Sequence, residues 1–258
     1  MENILHKIIA HKKREIERRK LMISIHQLEK SAHFNRFTHS FSDYIKHKSG
    51  IIAEHKRRSP SKGWIRKDSN LSDICTSYVQ AGASAISILT ESEFFGGSNH
   101  DLEGVRKKIS IPILRKDFIV DPYQIIESKA IGADTILLIA SCLNKTEVKE
   151  LAIMANALDM EVLIEIHNAD ELDKLNDYIQ LVGVNNRNLK SFEVDISNSI
   201  TLAKQIPDAM IKISESGISN AKTILELKNW GFQGFLIGER FMKADNPGMA
   251  CKNLIDRI

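Results

Sequence analysis

The chain has 258 residues, 43% hydrophobic and 27% charged, with a formal net charge of +3, which suits one large domain or two small ones and excludes a disordered polymer or a mini-protein. No uninterrupted apolar run is longer than Ile136 to Ala140, far below the roughly 18 residues that a membrane-spanning helix needs, and charge arrives too early for a secretory signal, so the mature chain is expected to start at Met1. The three separated cysteines, Cys75, Cys142 and Cys251, lack the spacing of a metal knuckle or redox pair and point to a reducing cytoplasm.

Charge is divided unevenly. Residues 1–67 hold 17 Lys and Arg against 6 Asp and Glu, whereas residues 68–258 hold 19 against 27. Within residues 3–20, Ile4, Leu5, Ile8, Ile9 and Ile16 recur at near-helical spacing among Lys7, Lys12, Lys13, Arg14, Arg18, Arg19 and Lys20, which predicts a basic amphipathic helix. Such a segment can bind nucleic acid or an acidic surface, present a solvated basic face, or lie over the rest of the chain and make a field attractive to a small anion. It has no Trp or Phe for a membrane surface.

From residue 50 onward, short β-branched runs alternate with helix-length amphipathic segments. The strands are expected at Ile51 to Lys56, Ala85 to Leu89, Ile113 to Lys116, Thr135 to Ile139, Val162 to Ile166, Leu181 to Val184, Ile211 to Ser214 and Gly234 to Ile237. Helices are expected at Leu71 to Ala81, Tyr123 to Ile131, Thr146 to Leu158, Asp170 to Asn176, Ile200 to Gln205, Ala221 to Trp230 and Met249 to Ile258, with capping signals at Asn144 and Ser219. Strand followed by helix, eight times, predicts the α/β class and a (β/α)8 TIM barrel over residues 49–258, with an N-terminal helical extension, residues 1–48, covering the barrel mouth. A doubly wound open sheet is the rival, but its glycine-rich turn is missing after the first strand, where Arg57-Arg-Ser-Pro-Ser-Lys-Gly63 stands.

Barrel strands alternate between two dry environments, so charges on them are costly except at their ends. Glu54 and Lys56 share the parity of Ile52, and four further strands end in Arg115-Lys116, Glu165, Asn185-Asn-Arg187 and Glu215. Each alone fits a salt bridge at the rim; together they bring two lysines and three glutamates to the end of the barrel where active sites form. That mouth suits acid/base chemistry on an anion, since glutamates keep a lysine protonated and lysines keep a carboxylate ionised. His55 and His167 are read as lying on the opposite parity, in the core or facing the helices, and the nine histidines show no metal-binding spacing. Gly217-Ile-Ser219 and Gly238-Glu-Arg240 follow the last two strands, where backbone N–H groups can surround a phosphate, and Ser59 and Ser61 can add donors.

At this point the chain resembles the indole-3-glycerol-phosphate synthase family nearly end to end. The most specific likeness is Ile51-Ile-Ala-Glu-His-Lys-Arg-Arg-Ser-Pro-Ser-Lys-Gly63, which resembles the family's Glu-x-Lys-x-x-Ser-Pro-Ser signature. Ile111 to Pro122, Val162 to His167, Gly183 to Leu189, Ser214 to Ile218 and Leu236 to Glu239 resemble further family motifs in order.

The resemblance implies closure of 1-(2-carboxyphenylamino)-1-deoxyribulose 5-phosphate to indole-3-glycerol phosphate in tryptophan biosynthesis, with loss of carbon dioxide and water. It implies no cofactor and no metal. By resemblance, Lys116 is the general acid, Glu165 the general base, and Lys56 the partner of the anthranilate carboxylate, with a second role for Lys56 in dehydration left open. Glu54, Asn185 and Glu215 orient the lysines and the sugar, Arg187 supports them, and Phe95 and Phe118 pack on the anthranilate ring. Ser59, Gly217, Gly238 and Glu239 fall at phosphate positions, with Ser216 a further substrate contact. His55 departs from the family's aliphatic residue, and Arg240 and Phe241 from its small residues.

The expected partner is the small anionic substrate alone, on a monomer with no nucleic acid or membrane bound. Rival readings are another sugar-phosphate barrel, such as phosphoribosylanthranilate isomerase, and a non-catalytic barrel that binds an anion or nucleic acid.

Overall fold

The computed structural model describes residues 4–188 and 191–258; Met1, Asn3 of the expected first helix and Leu189 of the fourth motif lie outside them. Eight parallel strands close into a barrel: β1 Ile51–His55, β2 Ala85–Leu89, β3 Ile113–Lys116, β4 Thr135–Ile139, β5 Glu161–Ile166, β6 Leu181–Asn185, β7 Ile211–Glu215 and β8 Phe232–Ile237. Closure is made by β1, which pairs with β2 through Ile52 and Ala85 and with β8 through Ile51 and Phe235.

Several of the helices that follow the strands open on a polar side-chain cap. Asn144 opens a helix at Lys145–Ala157 through a capping box with Glu147. For the helix at Ala221–Asn229 the cap is Asn220, one residue beyond the expected Ser219. The helix expected at Asp170 to Asn176 is a 3-10 stretch, Ala169–Lys174, while Asn99–Arg106 and Glu239–Lys243 are helices that periodicity did not flag.

The alternation of strand residues divides the core. Ile52, Ala85, Leu114, Leu137, Leu163, Leu181, Ile211 and Ile213 fill the lumen, whereas Ile51, Ala53, Ile86, Ile88, Val162 and Ile164 meet the helix layer. Two helices ahead of β1 serve opposite ends. The helix Phe41–His47 sends Phe41 and Ile45 into the lumen cluster, against β2 and β8. Gly234 makes room there, since a Cβ would sit 2.7 Å from Ile213 and 3.4 Å from Ile45. Helix α1, Ile4–Met22, buries Leu5, Ile8, Lys12 and Ile16 along one face.

The basic excess of α1 is matched on the barrel by a closed ring of charges. Lys12 Nζ lies 2.9 Å from Asp117 and 2.7 Å from Glu15, and Arg19 lies 2.6 Å from Glu15 and 3.0 Å from Glu127. Arg115 completes the ring at 2.7 Å from Glu127 and 3.3 Å from Asp117. Lys20 adds a pair with Asp121 and Arg36 one with Asp134. Lys12, Arg19, Lys20 and Arg36 thus each pair with a carboxylate of the barrel portion. Lys13, Arg14 and Arg18 point to solvent.

Candidate active site

A cavity of about 580 Å³ opens at the C-terminal ends of the strands. Strand register sets its floor: Leu89 pairs with Lys116, Ile139 with Glu165, and Asn185 with Glu215. All fourteen residues singled out above line this one cavity: Glu54, Lys56, Ser59, Phe95, Lys116, Phe118, Glu165, Asn185, Arg187, Glu215, Ser216, Gly217, Gly238 and Glu239.

Lys116 sits between two carboxylates, its Nζ donating to Glu165 Oε2 at 2.7 Å and lying 3.3 Å from Glu215 Oε2. Burial opposes its charge, but Glu165, Glu215 and Glu54 outweigh burial and hold its pKa above the ordinary lysine range. Glu165 also accepts from Asn185 Nδ2 at 3.0 Å, while Asn185 Oδ1 accepts the Arg187 backbone N–H. Burial opposes the Glu165 charge as well, and Lys116 overcomes it, leaving the carboxyl well below the usual range. Lys56 Nζ donates to Glu54 Oε1 at 2.7 Å. Phe95 and Phe118 lie with ring centroids 6.1 Å apart.

Two glycines give the inner glutamates their space. A Cβ on Gly183 would stand 2.3 Å from Glu215 Oε1, and one on Gly238 would stand 2.5 Å from Glu54 Oε1. After β7 the backbone turns through two left-handed residues, Ser216 at φ 68° and Gly217 at φ 76°. Glu239 pairs with Lys243 at 2.7 Å and lies 3.8 Å from Arg187, so its carboxylate is already matched by cations and only its backbone N–H is suited to an anion.

Sequence reasoning missed several lining residues. Leu5 and Ile8 arrive from α1, Phe192 and Val194 from the segment after β6, and Lys243 from the short helix after β8. Phe241 instead packs inward on Tyr78, at 5.7 Å between centroids. His55 behaves as expected: it is buried, bonds Ser69 Oγ at 2.9 Å, and is held neutral by burial and Arg57, with its pKa pushed down to about 4. The reading of His167 requires correction. Two residues beyond Glu165, it shares that residue's parity, and its Nε2 lies 3.3 Å from Glu165 Oε1.

Glu215 provides a test of these electrostatics. Burial raises its pKa from 4.5 to about 7, against Lys116 and with help from Glu165 and Glu54. The folded state therefore binds a proton that the unfolded chain has lost, and this contribution to stability fades as pH rises through that interval. Urea denaturation across it is expected to show Glu215→Gln gaining stability relative to wild type as pH rises; a constant difference would contradict the assignment.

Comparisons with known proteins agree with this geometry. Among solved structures, 3-hexulose-6-phosphate synthase from Salmonella typhimurium superposes with a TM-score of 0.65 at 12% identity, over 80% of this chain and 97% of that one. A mutant tryptophan synthase alpha-subunit from Pyrococcus furiosus gives 0.60 at 16% identity, over 81% and 97%. At such identities the likeness is one of fold. In sequence, an indole-3-glycerol phosphate synthase from Bacteroides thetaiotaomicron is 47% identical over the whole of both chains. One from Polaromonas naphthalenivorans is 40% identical over 98% of this chain and 99% of its own. The family model described as indole-3-glycerol phosphate synthase spans residues 5–254, and with that match the chain belongs to the indole-3-glycerol phosphate synthase family.

Proposed function

We propose that the cavity closes the indole ring of 1-(2-carboxyphenylamino)-1-deoxyribulose 5-phosphate, releasing carbon dioxide and water, with Lys116 as acid and Glu165 as base. The observation that carries this reading is the placement of Lys116 between Glu165 and Glu215, with the Lys56–Glu54 pair in the same cavity. Lys116 donates its proton to the ketose oxygen as the aromatic carbon attacks the ketose carbon. Lys56 pairs with the anthranilate carboxylate until that group leaves as carbon dioxide and the ring regains aromaticity. The hydroxyl then leaves as water with a proton from Lys56, freed of the carboxylate it held, and Glu165 takes the last ring proton.

The remaining residues hold the flexible substrate in a ring-closing conformation, which contributes roughly 7 to 11 kcal/mol in favourable cases. Phe95 and Phe118 flank the anthranilate ring. Ser59, Ser216, Gly217, Gly238 and the backbone of Glu239 receive the phosphate, Glu54, Asn185 and Glu215 orient lysines and sugar hydroxyls, and Arg187 braces Asn185. Leu5 and Ile8 of α1 cover the apolar side.

Purified protein mixed with the anilino-ribulose phosphate is expected to develop indole fluorescence with one carbon dioxide released per product. Absence of both signals from folded protein would overturn the proposal.

A further inference from the structure

We propose that His167 is a positioning residue for Glu165: from behind the cavity wall, and itself held by Glu171, it fixes one edge of the Glu165 carboxylate and keeps it ionised when Lys116 is discharged. The inference rests on the reading of Glu165 as base.

Among the described residues, Lys116, Asn185 and His167 lie against Glu165 and meet different fates during turnover. Lys116 contacts Oε2 at 2.7 Å, Asn185 donates to Oε1 at 3.0 Å, and His167 Nε2 lies 3.3 Å from the same Oε1. Once Lys116 gives its proton to the substrate it is a neutral amine, and Asn185 carries no charge. A buried carboxylate left without a cation takes up a proton, and a protonated Glu165 cannot serve as base. His167 is the neighbour whose charge the reaction leaves in place, because its side chain does not line the cavity.

The histidine is built to stay charged and still. Its Nδ1 lies 3.5 Å from Glu171 Oε2, and the same oxygen accepts the His167 backbone N–H at 2.7 Å. Asn198 Nδ2 donates to its carbonyl at 3.1 Å. The groups that face it are Glu165 from β5 and Glu171 from the 3-10 turn, with Lys116 on β3 and Glu215 on β7 beyond the Glu165 carboxylate. On the same side, Lys174 is tied to the Ala140 carbonyl and the Cys142 thiol is pushed up to about 12, chiefly by burial and Glu165, and so stays neutral. Burial disfavours the imidazolium, but Glu165 and Glu171 overcome it and raise the His167 pKa to about 9.

The test is the pH profile of kcat in His167→Gln, with Glu165→Gln measured alongside. If Glu165→Gln keeps wild-type kcat, the base assignment fails and this inference falls with it. If Glu165→Gln is inactive, His167→Gln is expected to move the acid limb of kcat upward by about 1 to 3 pH units with little change in KM, and His167→Arg, which restores the charge, to move it back. An acid limb that stays at the wild-type position, with kcat lowered by one factor at every pH, would mean a purely structural role and overturn the proposal. Should the variants fail to fold, an NMR titration of His167 in otherwise intact protein decides: its midpoint near pH 9 is expected to fall in Glu165→Gln, and an unmoved midpoint overturns the coupling.

Discussion

Lys116→Met is expected to lower kcat by about 100- to 10,000-fold, the range over which a general acid acts, while KM changes little. Methionine keeps most of the length of the side chain and its packing against the strand ends but has no proton to donate. The anthranilate carboxylate still has Lys56 and the phosphate still has the glycine loops, so ground-state binding survives. A loss confined to kcat marks an interaction made in the transition state. The substitution also leaves Glu165 and Glu215 facing each other, 5% and 3% exposed, without their shared cation, so one of them takes up a proton and the fold is kept. Steady-state fluorescence kinetics check this directly, and unchanged turnover would remove Lys116 from the mechanism.

The second large effect is expected far from the reacting atoms. Lys12 is 1% exposed and sits in the six-charge ring, where with Arg115 it outweighs burial and holds the Asp117 carboxyl below the usual range. Lys12→Met takes from the buried Asp117 one of its two cations and leaves Arg115 at 3.3 Å, so the loss is expected toward the lower end of the about 3 to 5 kcal/mol that breaking a buried pair typically costs. Urea denaturation is expected to show a loss of that order. The double variant with Asp117→Asn should recover part of it, since the under-compensated carboxylate is then gone and Arg115 keeps Glu127. Because the same helix carries Leu5 and Ile8 to the cavity, KM is expected to rise as well. Stability equal to wild type would show that the ring does not fasten α1.

How much of this was legible in the sequence follows from the range over which each signal acts. The period of two along a strand, with polar residues at strand ends, pointed to Lys116, Glu165, Asn185 and Glu215, because barrel geometry turns local parity into a common destination. His167, two residues past Glu165, shares its parity, which was misassigned, and its contact with Glu165 follows from that parity although its side chain does not line the cavity. Lys12 was different in kind. Its spacing of four from Ile8 and from Ile16 puts it on the apolar face, but its partner Asp117 belongs to another part of the chain, so the ion pair forms only when α1 docks. The space that Gly183 and Gly238 leave for Glu215 and Glu54 was likewise invisible, because each glycine serves a side chain on a neighbouring strand. The charge imbalance left three destinations open, namely an acidic partner, solvent and the chain's own barrel, and could not choose among them.

The floor of the lumen ties the order of synthesis to the order of assembly. Phe41 and Ile45 leave the ribosome before any strand, and although Ile52 and Ala85 of their cluster follow soon after, Ile211, Ile213 and the bare backbone of Gly234 are among the last parts made. These two early side chains therefore wait without their final contacts while almost the whole polypeptide is translated. In a nascent chain stalled before β8, they are left accessible to a chaperone or a protease, and release of the C-terminal portion is what lets the plug seat.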